Sequence, residues 1–160
     1  MRHTISCIVK NRPGVLARVA KSFADRRINI HSLAVNESEE EDVSRITIVI
    51  EGEKNQLEAL AVETAMLEDV VRVEDLDRSG FLDRELVLVK VNAKPEDLPR
   101  LMQVIEVMHA NVAAMDTETI TAEMTGTEDK ITAFLRLLRP FGIREYARSG
   151  RVAVSAGVRP

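Results

Sequence analysis

At 160 residues, with 45% hydrophobic and 30% charged side chains, the chain has the balance of one folded domain or two very small ones, which excludes a disordered or low-complexity segment. A net charge of −4 and 3% aromatic residues leave little to attract or stack nucleic acid, and the lone Cys7 excludes an internal disulfide framework or a cysteine zinc cage. No apolar run approaches the roughly 20 residues of a membrane helix, and the first residues lack a signal peptide's apolar core, so a soluble, cytoplasmic protein is expected.

Thr4 to Lys10 is short and β-rich, and Pro13-Gly14 interrupts it. Val15, Leu16, Val19 and Phe23 then recur every three to four residues, the spacing of an amphipathic helix running to about Arg26. Ile28 to Val35 reads as a strand, and an acidic loop over residues 37–42 follows. Val43 to Ile50 alternates, with Ile46, Ile48 and Ile50 on one face and Arg45, Thr47 and Val49 on the other. That predicts a half-buried strand paired with the previous one as a hairpin. Leu57, Leu60, Ala61, Thr64 and Leu67 form a second helical stripe, and Val70 to Leu76 a fourth strand. Residues 79–84 read as a linker.

The order then repeats. Glu85 to Ala93 is a strand. Pro95 is placed in the first turn of a helix, where its missing N–H costs little, and Leu98, Leu101, Met102, Ile105 and Met108 are that helix's buried stripe. Asn111 to Met115 and Thr117 to Met124 form a strand pair. Thr127 is a good N-cap, with Glu128 and Asp129 at the positive end of the helix dipole and Ile131, Phe134, Leu135 and Leu138 as the stripe. Pro140-Phe141-Gly142 ends that helix. Ile143 to Arg148 is a strand, and Arg151 to Val154 a short last one.

Two successive βαββαβ patterns predict an α+β fold of two tandem ferredoxin-like modules, each an antiparallel sheet with its helices on one face. The expected domains are residues 1–78 and 85–160. Cores this small, with a second sheet face needing cover, predict a homodimer formed through sheet edges or faces.

Charge is uneven. Residues 1–80 carry 11 basic and 15 acidic side chains and residues 81–160 carry 11 of each. Arg136, Arg139, Arg144, Arg148, Arg151 and Arg159 crowd the end of the chain, where they suit either solvent or an acidic protein partner. Nothing points to catalysis. His3, His31 and His109 are far apart and form no metal-ligand pair, and Cys7 sits mid-strand as a small hydrophobe. No phosphate-loop or nucleophile-elbow motif occurs, so no catalytic residue and no metal site is expected.

The informative stretch is Asn11-Arg12-Pro13-Gly14-Val15-Leu16, where strand gives way to helix. A helix N-terminus presents unpaired N–H groups and partial positive charge to a carboxylate, Gly14 allows close approach, and Asn11 both donates and accepts. Asn29, between Ile28 and Ile30, needs a partner if a dimer buries it.

At these residues the chain resembles a known family. Asn11 to Val19, Arg26 to Leu33, Ser44 to Gly52 and Asp69 to Leu76 resemble the amino-terminal ACT domain of the acetolactate (acetohydroxyacid) synthase small subunits. The resemblance continues through Arg84 to Val91, Gly126-Thr127 and Glu145 to Ala153, in order and spacing over nearly the whole chain. Arg27 stands where the family usually has Gly, so a positive φ there would strain it.

The resemblance implies a non-catalytic regulatory subunit. Its partner would be the large catalytic subunit, which holds thiamine diphosphate, Mg²⁺ and FAD and condenses pyruvate with a second 2-oxoacid in branched-chain amino-acid synthesis. The small subunit would need no cofactor, would raise that activity and would confer feedback inhibition by L-valine. Valine would bind at the ACT–ACT dimer interface, against Asn11 and Gly14 of one protomer and Asn29 of the other, with Val15 and Ile30 adjacent. A free-standing tandem ACT-type sensor or regulator is the alternative, but it would need a DNA-binding module that the two repeats leave no room for. An RNA-binding ferredoxin-like module should carry aromatics on its central strands, where Ile5, Cys7 and Val9 stand instead.

Overall fold

Alternating side chains from Arg2 to Lys10 make the first strand (β1), and the break at Pro13-Gly14 turns it into a helix, α1, over Val15–Asp25. The computed structural model describes residues 2–156. The order continues with β2 (Ile30–Glu37), β3 (Val43–Glu51), α2 (Lys54–Ala65), β4 (Val70–Asp75), a one-turn α3 (Leu76–Ser79), β5 (Phe81–Asn92), α4 (Leu98–Val107), β6 (Asn111–Met115), β7 (Thr119–Gly126), α5 (Glu128–Leu138), β8 (Ile143–Arg148) and β9 (Val152–Ser155).

The strand order β2-β3-β1-β4 in the first sheet repeats as β6-β7-β5-β8 in the second, and the pairs are antiparallel. This is the expected tandem ferredoxin-like α+β fold. In the first core, Ile5, Cys7 and Val9 of β1 and Ile46, Ile48 and Ile50 of β3 meet Val15, Val19 and Phe23 of α1 and Leu57 and Leu60 of α2. Both helices therefore lie on one face. In the second core, Val87, Val89 and Val91 meet Leu101 and Ile105 of α4 and Ile131, Phe134 and Leu138 of α5.

The chain divides into two compact units. One comprises the residues up to Leu82 with the segment that starts at Arg151, and the other is Asp83–Gly150. Residues 79–84, read as a linker, are the end of α3 and the start of β5. The last strand pairs with β5, and Ala156 N–H donates to the Gly80 carbonyl at 3.0 Å. Gly157 to Pro160, with Arg159, lie outside the described residues.

The second face of the first sheet departs from its expected half-burial. Thr4, Ser6, Thr47 and Val49 are as buried as the isoleucines behind them. Two arginines of the same unit cover this hydroxyl-rich face. Arg45 donates from Nη1 to Ser6 Oγ at 3.1 Å. Arg151 donates from Nη1 to Thr4 Oγ1 and from its backbone N–H to Ser32 Oγ, both at 2.8 Å. Elsewhere the helix placed at Pro95 starts at Leu98, with Pro99 in the N-terminal position, because residues 95–97 form a turn first.

Both α1 and α4 end alike. Arg27 and His109 have φ +55°, and each helix closes with the paired backbone bonds of a Schellman motif. In the first, Arg27 N–H reaches the Ala24 carbonyl (2.9 Å) and Ile28 N–H the Phe23 carbonyl (3.0 Å). In the second, His109 reaches Glu106 and Ala110 reaches Ile105, both at 2.9 Å. This closure moves the start of β2 from the expected Ile28 to Ile30. A left-handed conformation costs an L-residue roughly 1–2 kcal/mol, part of which glycine gives back through unfolded-chain entropy. His109→Gly should therefore stabilise the protein by about 0.5–1 kcal/mol, read as a rise in its thermal midpoint. An unchanged or lower midpoint would contradict this account.

Candidate functional site

The site is built on the turn between β1 and α1. Gly14 is the N-cap of α1 with φ +85°, a left-handed conformation with no side chain to cap the helix. The Val15 N–H turns back to the Arg12 carbonyl at 3.4 Å, and Arg18 N–H takes the Gly14 carbonyl at 3.1 Å. The Leu16 and Ala17 N–H groups are left without an acceptor among the described residues. Val15, expected beside the ligand, is 2% exposed and its side chain packs in the core. The free amides of this turn thus belong to the next two residues.

Asn11 borders an acidic groove lined by Glu37, Ser38, Glu39, Glu40, Glu41 and Asp42. Its N–H donates to the Asp42 carbonyl at 2.7 Å and its Nδ2 to Glu37 Oε1 at 3.4 Å. Unpaired helix amides suit a carboxylate, and the acidic groove beside Asn11 suits a cation. Beside the helix start, Arg18 is paired with Asp69.

Asn29 and Ile30 are elsewhere in the same chain. Register pairs Glu37 with Ser44 and Lys10 with Val43 at the Asn11 end, but Ile30 with Ile50 at the other. The eight residues of β2 separate the two ends by about 23 Å at a strand's rise. Asn29 is exposed just before β2, and Ile30 is half-buried against the core. One protomer therefore does not bring the five expected residues together.

β2 is an edge strand, and its outer N–H and C=O groups are unpaired within this sheet. It carries no proline or lysine, and Leu33 and Val35 are both 38% exposed, with Leu16 of α1 at 41%. Leu33 lies opposite Ile48 and Val35 opposite Ile46, which puts both on the helix side of the edge.

The remaining candidates separate from this site. His31 lies on β2 with Nε2 3.3 Å from Glu51. Burial pushes the Cys7 thiol up to about 12, so it stays protonated and is no nucleophile. Of the arginines read either as solvated or as a docking surface, three share one groove. Arg136, Arg139 and Arg148 line a groove with Tyr146, and Arg148 pairs with Glu85. Arg144 donates from Nε to Asn92 Oδ1 at 2.7 Å, while Arg151 turns into the first unit. Sequence reading missed the grouping of His3 with Asp75 and Asp77, residues more than 70 positions apart with no spacing to reveal them. No helix among the described residues is long and apolar enough to cross a membrane.

Comparison with known proteins agrees with this architecture in both units. Residues 5–72 match the model of the AHAS small subunit-like ACT domain, and residues 84–157 that of the small subunit of acetolactate synthase. The acetolactate synthase small subunit of Mycolicibacterium smegmatis is 41% identical over 98% of this chain and 92% of its own length. A probable acetolactate synthase small subunit of Archaeoglobus fulgidus is 40% identical over 98% of both. The crystal structure of the acetolactate synthase small subunit from Thermotoga maritima superposes with a TM-score of 0.91 at 33% identity, covering 99% of each chain.

Proposed function

The chain belongs to the acetolactate synthase small-subunit family, and from that membership we propose that it is the regulatory subunit of that enzyme, raising the activity of the catalytic large subunit and conferring feedback inhibition by L-valine. The thiamine diphosphate, Mg²⁺ and FAD of the reaction stand in the large subunit, and the small subunit works beside it in the cytoplasm, with no catalytic group of its own.

One observation carries the effector reading. Asn11 and Gly14 stand at one end of an open edge strand and Asn29 and Ile30 at the other. Two protomers joined antiparallel through β2 place the Asn29 end of each against the Gly14 end of its partner, making two equivalent sites per homodimer. In each, the valine carboxylate takes the Leu16 and Ala17 amides. The ammonium faces the oxygens of Asn11, Glu37 and the partner's Asn29. A ligand held by both protomers favours one arrangement of the pair and shifts the activity of the attached large subunit by its differential affinity alone. One methylene changes binding by about 1–3 kcal/mol, so leucine and isoleucine bind the same site more weakly.

The test is calorimetric titration of the protein with L-valine, with glycine and D-valine as controls, followed by the same titration of activity in the complex reconstituted with the large subunit. One or two valines per dimer, stronger activity of the large subunit, and a valine response lost in Asn29→His are expected. Activation with no valine response at any concentration would remove the effector role. Absence of activation would remove the regulatory role and favour a free-standing sensor.

A further inference from the structure

Away from the valine site, His3 near the start of β1 faces the end of β4 and the first turn of α3. The residue is only 9% exposed, and both of its ring nitrogens are sealed from solvent with no hydrogen-bond partner among the described residues. Buried polar groups are almost always partnered, so two orphan nitrogens on one ring call for a missing neighbour. The ring is aimed at two carboxylates. Nδ1 lies 3.9 Å from Asp75 Oδ1 and 3.7 Å from Asp77 Oδ2, too far for hydrogen bonds.

Those separations suit donors that share an ion. One ligand atom from each of the three residues lies within 4.8 Å of the other two. Bonds of about 2.1 Å place neighbouring donors roughly 3.0–3.4 Å apart, so the two Nδ1–carboxylate separations need contract by only about half an ångström. The carboxylates are already oriented from outside. Asp77 Oδ2 accepts the Thr4 N–H at 2.6 Å, and Asp75 Oδ1 accepts the Asp77 N–H at 3.1 Å. Asp75 Oδ2 faces Arg78 Nε at 3.4 Å, and that arginine also pairs with Glu58. Each ligating oxygen keeps a lone pair for a metal, in the manner of outer-shell hydrogen bonds that aim ligands.

Hard ions such as Ca²⁺ and Mg²⁺ prefer all-oxygen sets, whereas an imidazole with two carboxylates suits first-row transition ions. We infer that His3, Asp75 and Asp77 bind one divalent transition-metal ion of the Mn²⁺ or Zn²⁺ class, water completing its shell. The ion neutralises the half-buried Asp75 and the more exposed Asp77, which face each other across the buried His3 ring. It also fastens the start of β1 to the point where the chain leaves β4. The inference is independent of the valine site and of the large subunit.

The experiment uses the full chain stripped with EDTA. It is titrated with ZnCl₂ and with MnCl₂ by calorimetry, with the Mn²⁺ signal followed by electron paramagnetic resonance and the unfolding midpoint by scanning calorimetry. The expected result is one ion per chain and a midpoint raised by several degrees. Affinity should fall at least about tenfold in His3→Gln and in Asp77→Asn. The second variant keeps the side-chain shape and an acceptor for the Thr4 N–H, so it folds. Glu58→Gln, outside the ligand set, should bind as the parent does. Absence of saturable binding to the stripped chain, or unchanged binding in both ligand variants, would overturn the inference. So would a midpoint that ignores both ions but rises as pH falls through the histidine range, the mark of an imidazolium held between the two carboxylates.

Discussion

Gly14→Asp should raise the valine concentration for half-inhibition of the reconstituted enzyme more than about 100-fold while leaving activation of the large subunit within about twofold. The new side chain carries the strain of a left-handed backbone, which Asp bears better than most residues. Asp is among the few residues that accept a left-handed φ such as the +85° found here, and it is a preferred N-cap. What it removes is the anion site. Its carboxylate satisfies the Leu16 and Ala17 amides from within the chain and leaves none for a ligand. Two like charges about 4 Å apart at an effective dielectric of 20 repel by about 4 kcal/mol, close to a thousandfold in affinity. Arg18 offsets part of this, since its Nη1 stands 3.3 Å from where a Cβ at position 14 would sit and a carboxylate there draws its positive charge inward. Gly14→Ala carries the strain of the left-handed backbone without the charge and should shift sensitivity far less. Valine titrations of the two variants separate backbone from charge, and a Gly14→Asp enzyme as sensitive as its parent would place the effector elsewhere.

Leu33→Lys combined with Val35→Lys should convert the dimer to a monomer at micromolar concentration and abolish valine binding with it. Both residues are exposed on an edge strand, so the monomer fold loses little when they change. Pairing two copies along β2 would bring these lysines and their partners' lysines together on the helix side of the joint sheet, and edge lysines are a common natural block to such pairing. Each protomer would then hold half a site, with Gly14 and Asn29 an entire strand apart. Sedimentation velocity reads the mass and calorimetry the binding. Val71→Lys on β4, the opposite edge of the same sheet, is the control and should remain dimeric. A double variant that still sediments as a dimer would mean that the pair forms through another surface.

What could be read without the structure was whatever repeats locally. Val15, Val19 and Phe23 mark one helix and Ile131, Phe134 and Leu138 another because burial recurs every three to four residues. Turn chemistry gave Asn11 and Gly14 for the same reason, since the features that matter there are adjacent in the chain. The rest depends on distant partners. The second face of the first sheet needed cover, but nothing local says what supplies it: Arg151, 147 positions beyond Thr4, reaches the Thr4 hydroxyl, and Arg45 reaches Ser6. The four-residue α3 is too short for a period and rests on a cap, Asp75 Oδ1 accepting the Asp77 N–H. The expected start of β2 was early because periodicity cannot register a Schellman closure that uses Arg27 and Ile28. Asn29 stood out as a polar residue between two isoleucines, but its pairing with Gly14 came from family resemblance, as that counterpart lies across a strand's length and, in the proposed dimer, on another chain.

Closure of the hydroxyl face by Arg151 has a consequence for biosynthesis. Arg151 leaves the ribosome 147 residues after Thr4, yet the two belong to one unit. At about 5–20 residues per second, making residues 83–150 takes roughly 3–14 s. During that interval the nascent first sheet has its helices in place behind it and its front uncovered. The unit made first is therefore the one completed last, and its open front and open edge coexist on the growing chain. Neighbouring nascent chains on one message are then best placed to meet edge to edge before either has been released.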